Sequence, residues 1–320
     1  MASPVPSKNS DTTGLRSPRY WASWALMGLG WVLARLPYRL QMALGRRFGD
    51  LAYHIIGERR RIAAVNLRLC FPELDADARQ QLLREHFQSV GMGAIETALC
   101  WWGPTEKIES LAHIEGLENL EAACARGRGI ILLSAHFTSL ELGVRMAKRP
   151  LRELGYITTA MYKAPHDPVV DHVMRTRREA HIGGSSIRDD DVKGLLKALR
   201  RKDAVWYAAD QKPPKRLGTV VDFFGQPART HIALSRLARM SKASVVPFFT
   251  LRCEDGSGYR LIILPAVEDQ LGQDEAEDAR TINALIESVA RQAPAQYFWL
   301  HQRFKRAGYN PYKAAAEADT

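Results

Sequence analysis

The run from Gly129 to Ser134 limits what this chain can fold into more than any other stretch. Four branched aliphatic residues, Ile130 to Leu133, stand between Gly129 and Ser134-Ala135 and predict a strand buried on both faces. Such a strand needs parallel neighbours with helices covering both sides. The expected fold class is therefore α/β, with a central, mostly parallel sheet flanked by helices. His136 follows the strand at once. Glu141 comes five residues later, in a segment whose Leu140, Val144 and Ala147 share a helical face. An imidazole is thereby placed at the carboxyl end of a central strand, where open α/β sheets bind ligands. Residues five apart on one helix diverge by about 140°. His136 and Glu141 can meet only if His136 precedes the helix and Glu141 lies in its first turn. In that geometry Glu141 holds the ring and His136 is a general base. A second reading fits the same spacing: Thr138-x-x-Glu141 is a capping box and His136 an ordinary loop histidine.

The rest of the α/β pattern begins near Ile108. A helix is expected over 117–124 and strands over 156–161 and 204–209, the second ending at Asp210. Asp167 reads as the N-cap of a helix with Pro168 in first position. The same cap explains Asp167 better than the metal set that His166, Asp167, Asp171 and His172 resemble. Asp189 to Asp191 precede a helix over 192–201. A helix over 231–240 and strands over 244–251 and 259–264 follow, the strands joined by an Asp-Gly-Ser-Gly turn. The last helix is expected over 281–291. Upstream, 66–102 reads as helical, broken at Phe71-Pro72 and restarted by Asp75 or Asp77 as N-cap. The expected organisation is a flexible tail over 1–19, a membrane anchor over 20–44, a helical segment plus α/β domain over 45–307, and a loose tail over 308–320.

The anchor rests on an apolar run, Tyr20 to Leu36, that carries Trp21, Trp24 and Trp31. As a helix it would span about 25 Å, short of a hydrocarbon core of about 30 Å. A tilted span, a half-inserted anchor and a buried core helix all fit this length. A signal peptide fits poorly, because no small-residue cleavage site follows. Three tryptophans in so short a run favour the membrane interface. Arg46, Arg47, Arg59, Arg60 and Arg61 follow, and a basic stretch beside an anchor favours anionic headgroups of the cytoplasmic leaflet.

The net charge of +10 calls for an acidic partner: anionic lipid, an acidic carrier protein or nucleic acid. Nucleic acid is not expected, since no zinc spacing, RNA-binding fingerprint or basic zipper region occurs. Cys70, Cys100, Cys124 and Cys253 are scattered and read as reduced thiols. No G-x-S-x-G elbow, Walker loop or dinucleotide fingerprint occurs, and neither cofactor nor metal is expected.

Ala135-His-Phe-Thr-Ser-Leu-Glu-Leu-Gly143 resembles the His-x4-acid motif of the glycerolipid-type (lysophospholipid) acyltransferase superfamily. More narrowly, the chain resembles the late (secondary) acyltransferases of lipid A biosynthesis, the lauroyl-transferring group. The likeness extends to Pro18–Trp21, Asn66–Glu73, Ser89–Gly93, Val205–Ala208 with Asp210, and Gln296–His301 with Arg303–Lys305. There are departures. Lys163-Ala164 stand where the family usually shows Arg-Pro, and Gln211 to Lys215 replace a second acidic or His-Asp pattern. Both departures bear on acceptor and acyl preference, not on the reaction type.

The resemblance implies an O-acyltransferase at the bacterial inner membrane, with its catalytic domain on the cytoplasmic side. It implies a lauroyl-like chain on acyl carrier protein as donor, and a hydroxyl of a Kdo-bearing lipid A precursor in lipopolysaccharide biosynthesis as acceptor. His136 would take the hydroxyl proton and Glu141 would hold the imidazole. Backbone donors of Phe137 to Ser139 would stabilise the oxyanion. Lys163, Arg177, Arg178, Asp210, Lys212 and Arg303 are the substrate-binding candidates. An acyltransferase for another lysolipid or aminolipid, and a non-catalytic membrane protein of this fold, are the competing readings.

Overall fold

The structure is a computed structural model and describes residues 13–272 and 274–318. Its strands are β1 (Ala112–Glu115), β2 (Ile130–Ser134), β3 (Thr158–Tyr162), β4 (Gly183–Arg188), β5 (Ala204–Ala208), β6 (Gly218–Phe223), β7 (Gln226–His231), β8 (Ser244–Arg252) and β9 (Tyr259–Ile263). One sheet takes the order β1-β9-β8-β2-β5-β3-β4, with β2 at its centre. All neighbours run parallel except β8 and β9. β6 and β7 form a separate hairpin.

The aliphatic run works as a two-sided strand. Ile131 and Leu133 enter one core with Val205, Tyr207 and Phe249, while Ile130 and Leu132 enter another with Trp206 and Phe248. Alternation along each strand sends successive side chains to opposite faces.

The helices that cover these faces are α1 (Trp21–Leu33), α2 (Tyr38–Ile55), α3 (Gly57–Cys70), α4 (Ala76–Trp102), α5 (Thr105–Glu109), α6 (Leu117–Ala125), α7 (Leu140–Met146), α8 (Lys148–Glu153), α9 (Pro168–Ile182), α10 (Val192–Arg200), α11 (Ala233–Ser241), α12 (Glu275–Gln292) and α13 (Pro311–Ala318). The caps read from sequence are made. Asp75 accepts from Ala78 N–H, Asp167 from Val169 and Val170, and Asp191 from Gly194.

α2 lies on α4 at near-backbone contact. A Cβ on Gly49 would sit 2.2 Å from the Phe87 carbonyl oxygen, and one on Gly91 would sit 2.2 Å from that of Gly45. Only glycine at these positions lets the two helices approach so closely.

The anchor expected over 20–44 is not one helix. α1 has 13 residues, which gives it a length of about 20 Å. The chain then turns through Ala34–Pro37, because proline has no N–H with which to continue a helix. Residues 38–44 belong to α2 and are held in the fold by buried Gln41 and Met42. No helix among the described residues is long and apolar enough to cross a membrane. α1 nevertheless has no buried residue, and Trp21, Leu26, Leu29 and Val32 are exposed. It lies on α4 and α9: Gly30 sits against the Trp102 ring, Met27 packs on the core, and the Ser23 hydroxyl donates to Asp167 at 2.5 Å.

The tail expected to be loose from 308 also differs. Tyr312 of α13 is buried, accepts from Phe304 N–H at 3.0 Å and donates to Asn66 Oδ1 at 2.6 Å. Its aromatic ring completes the core around Trp299 and Phe304.

Candidate active site

β2 and β5 run parallel with Ser134 opposite Ala208, so the residues two beyond each strand end come side by side. These are His136 and Asp210. The ring Nδ1 of His136 lies 2.6 Å from Asp210 Oδ1, and the His136 backbone N–H donates to Oδ2 at 3.0 Å. Asp210 is buried, while the His136 side chain keeps 31% of its surface exposed. Burial alone would raise the Asp210 pKa. The His136 charge and hydrogen bonds, joined by one from Tyr297, instead bring it down to about 2. Burial pushes His136 the other way, but the charge and hydrogen bond of Asp210 win and its pKa is raised. With Nδ1–H held by a carboxylate, Nε2 is the nitrogen left to accept a proton.

The loop carrying His136 is clamped by a distant segment. Thr138 N–H donates to the Gln296 carbonyl and Phe298 N–H to the His136 carbonyl, each at 2.8 Å. Phe137 bridges Tyr297. From below, the Thr138 hydroxyl meets that of Ser89 at 2.7 Å. Ser89 also accepts from Arg252, which is locked to Glu96 by two bonds of 2.6 and 2.7 Å.

Glu141 does not hold the imidazole. Its carboxylate takes a two-pronged bond from Arg178, Nε and Nη2 each at 2.6 Å, and a third from the Trp101 indole at 3.1 Å. Burial raises the Glu141 pKa, and Arg178 and Trp101 more than reverse this. Nor is there a capping box: α7 begins after Ser139 with no side-chain cap. The reason is tertiary. α7 starts at Leu140, so Glu141 sits in its first turn among α4 and α9, where Trp101 and Arg178 receive it. The charge of Arg178 is still felt at His136.

The other expectations divide. Arg178 is the mostly buried partner of Glu141. Asp210 bonds both the ring and the backbone N–H of His136. Arg303 is buried and spends its Nη groups on the Arg229 carbonyl, Thr230 and Asn283. Of the Phe137 to Ser139 backbone donors expected to serve an oxyanion, those of Phe137 and Thr138 already donate to the Ala135 and Gln296 carbonyls. Lys163 is exposed just beyond β3, and Arg177 is exposed on α9, in a groove shared with Trp24 and Trp31. Lys212 stays near the site, its N–H donating to His301 Nε2 at 3.2 Å. Its ammonium pKa is lowered by burial and by the neighbouring charges of Lys305 and Arg229.

His136, Asp210, Tyr297, His301 and Arg303 line one narrow pocket. Sequence reasoning missed His301 as a member. The signal available for Asp210 as partner was its place at the end of an apolar strand, matching that of His136.

Residues 9–306 match the family model for bacterial lipid A biosynthesis acyltransferases. The chain belongs to that family. It is 36% identical to the lipid A biosynthesis lauroyltransferase of Escherichia coli K12, over 92% of this chain and 94% of that one. It is 35% identical to the lipid A biosynthesis palmitoleoyltransferase of the same organism, over 90% and 92%. The lipid A biosynthesis myristoyltransferase of E. coli K12 matches at 29% identity over 93% of this chain and 92% of that one. A solved structure, the 1-acyl-sn-glycerophosphate acyltransferase from Thermotoga maritima, superposes weakly, with a TM-score of 0.35 at 14% identity over 81% of this chain and 97% of that one. Membership of the lipid A acyltransferase family makes the chain an enzyme of acyl transfer in lipid A biosynthesis.

Proposed function

We propose that this acyltransferase moves a fatty acyl chain from an acyl carrier protein thioester to a hydroxyl of a lipid A precursor, with His136 as general base and Asp210 as its orienting acid. The observation that carries this is the 2.6 Å contact between His136 Nδ1 and buried Asp210 at the ends of two central strands. His136 Nε2 takes the acceptor proton as the hydroxyl oxygen attacks the thioester carbonyl. When the tetrahedral adduct collapses, the carbon–sulfur bond breaks and the same nitrogen returns the proton to the leaving thiolate. Asp210 fixes the tautomer and stabilises the imidazolium between the two steps. The Glu141–Arg178 pair holds α9 against α7 beside this site.

Lys305 and Arg229 each lie close enough to repel the Lys212 ammonium. No ion pair to an acidic side chain is made by them among the described residues. An acceptor phosphate or sugar carboxylate would relieve that repulsion. Exposed Lys163 and Arg177 are further candidates for such groups. The apolar surface of α1 and the stripe Leu40, Phe48, Leu51 and Ile55 of α2 are exposed beside Arg39, Arg46 and Arg47. Together they suit the cytoplasmic face of the bacterial inner membrane.

The test is thiol release from lauroyl acyl carrier protein with and without a lipid A precursor. Release that requires the precursor and deposits the chain on it is expected, and His136→Ala should slow it by at least ~10²-fold. Release supported only by another lysolipid would move the acceptor to that class. No release under any condition would leave a non-catalytic member of the family.

A further inference from the structure

A thioester carbonyl attacked at this pocket needs hydrogen-bond donors for the oxygen that becomes negative. The backbone groups nearest the histidine are already committed. His136 N–H goes to Asp210, Phe137 N–H to Ala135 and Thr138 N–H to Gln296. Side chains that line the pocket are a further source of such a donor.

His301 lines that pocket with His136 and Asp210. Its Nε2 accepts the Lys212 backbone N–H at 3.2 Å. A ring nitrogen that accepts carries no proton, so in the neutral ring the proton sits on Nδ1. The ring is neutral at physiological pH: burial, reinforced by the charges of Arg303, His136 and Lys212, outweighs the pull of Asp210 and brings its pKa down to about 4. The fold therefore fixes a neutral imidazole with one N–H unspent among the described residues. Arg303, another residue lining this pocket, is 3% exposed and has a buried Nε–H with no partner among the described residues. Buried N–H groups without partners are rare in folded chains, and one at a pocket points to a missing oxygen.

We propose that His301, through Nδ1–H, is the oxyanion donor of the transfer reaction, beside the orphaned Nε–H of Arg303. As the acceptor oxygen bonds to the carbonyl carbon, the π pair moves onto the carbonyl oxygen and His301 Nδ1–H donates to it. The hydroxyl proton is on His136 Nε2 at that moment. When the carbonyl re-forms, the carbon–sulfur pair leaves on sulfur, which takes the proton from His136, and His301 is unchanged. A neutral donor suits this step, because it does not compete with His136 for the proton.

The inference rests on the transfer reaction proposed above, and measuring wild-type transfer first tests that reading separately. Two substitutions then divide the ring. Asparagine at 301 places an amide N–H near the position of Nδ1, whereas glutamine reaches the position of Nε2 and can accept from Lys212. His301→Asn should keep most of kcat. His301→Gln should melt like wild type yet lose about 10²-fold in kcat, with KM for both substrates little changed. The acidic limb of its pH–rate profile should stay in place, since His136 and Asp210 are untouched. Equal loss in both variants, or loss only in His301→Asn, would overturn the assignment and make His301 a prop for the Lys212 loop. A rise in KM at constant kcat would also overturn it, in favour of ground-state binding.

Discussion

The pH dependence of transfer should be governed at His136 by its single carboxylate neighbour. A general base must be neutral before it acts, so the rate should climb with pH and level off above the raised His136 pKa. Asp210 raises that pKa because its charge favours the imidazolium. Asp210→Asn should therefore shift the acidic limb to lower pH and cut the plateau by ~10²-fold or more, since the amide neither stabilises the imidazolium nor enforces the tautomer. Glu141→Gln should act differently. It strips the counter-charge from Arg178, whose side chain is 12% exposed. Leaving one member of a buried pair uncompensated costs about 3–5 kcal/mol. The variant should lose denaturant stability first and activity in proportion to the unfolded fraction. Profiles of kcat against pH beside urea melts separate the two residues. If Glu141→Gln moved the acidic limb and Asp210→Asn did not, the roles assigned here would be exchanged.

Elements were legible where one physical rule dominates. The two-sided aliphatic run, the Asp75, Asp167 and Asp191 caps and the Asp-Gly-Ser-Gly hairpin each state their own geometry, and all are formed. Elements whose form depends on distant partners were not. α13 has a weak apolar pattern and is fixed by Tyr312 reaching Asn66, 246 residues away. β7 is a polar strand, Gln226–His231, that exists because β6 pairs with it. The candidate site divides the same way. The place of His136 follows from its strand. Its partner follows from the register of β2 and β5, which local spacing does not encode. Glu141 had the closer sequence position, but Arg178 and Trp101 were there to claim it. The glycines of α2 and α4 offer a test at this scale. Gly49→Ala drives a methyl into the Phe87 carbonyl and should cost about 1–3 kcal/mol. Gly57→Ala, at the start of α3 with nothing within 4 Å, should change stability by no more than about 0.5 kcal/mol. Thermal melts of the two variants make the comparison. Equal melts would mean that α2 slides on α4 without resistance.

The molecule as a whole carries α1 on its outside, with no residue of that helix buried and a large apolar surface exposed, which suits a part added to a body able to stand without it. Removing residues 1–33 should leave a cooperative melt and abolish sedimentation with anionic vesicles. Removing 1–44 should also lower the melt, because it deletes Gln41 and Met42 from the core. Retained sedimentation by the shorter deletion would move the membrane contact to α2. The clamp on the His136 loop has a consequence in time as well as in space. During synthesis the amino-terminal parts emerge first, so the tryptophans of α1 are free to meet a bilayer while β8, β9 and the segment from Gln296 onward do not yet exist. Gln296 and Phe298 hold the loop, and Tyr312 seals the core behind them. Under the proposed function, a nascent chain would thus meet a bilayer before it could react there, and a thioester donor would find no formed site until translation was nearly complete.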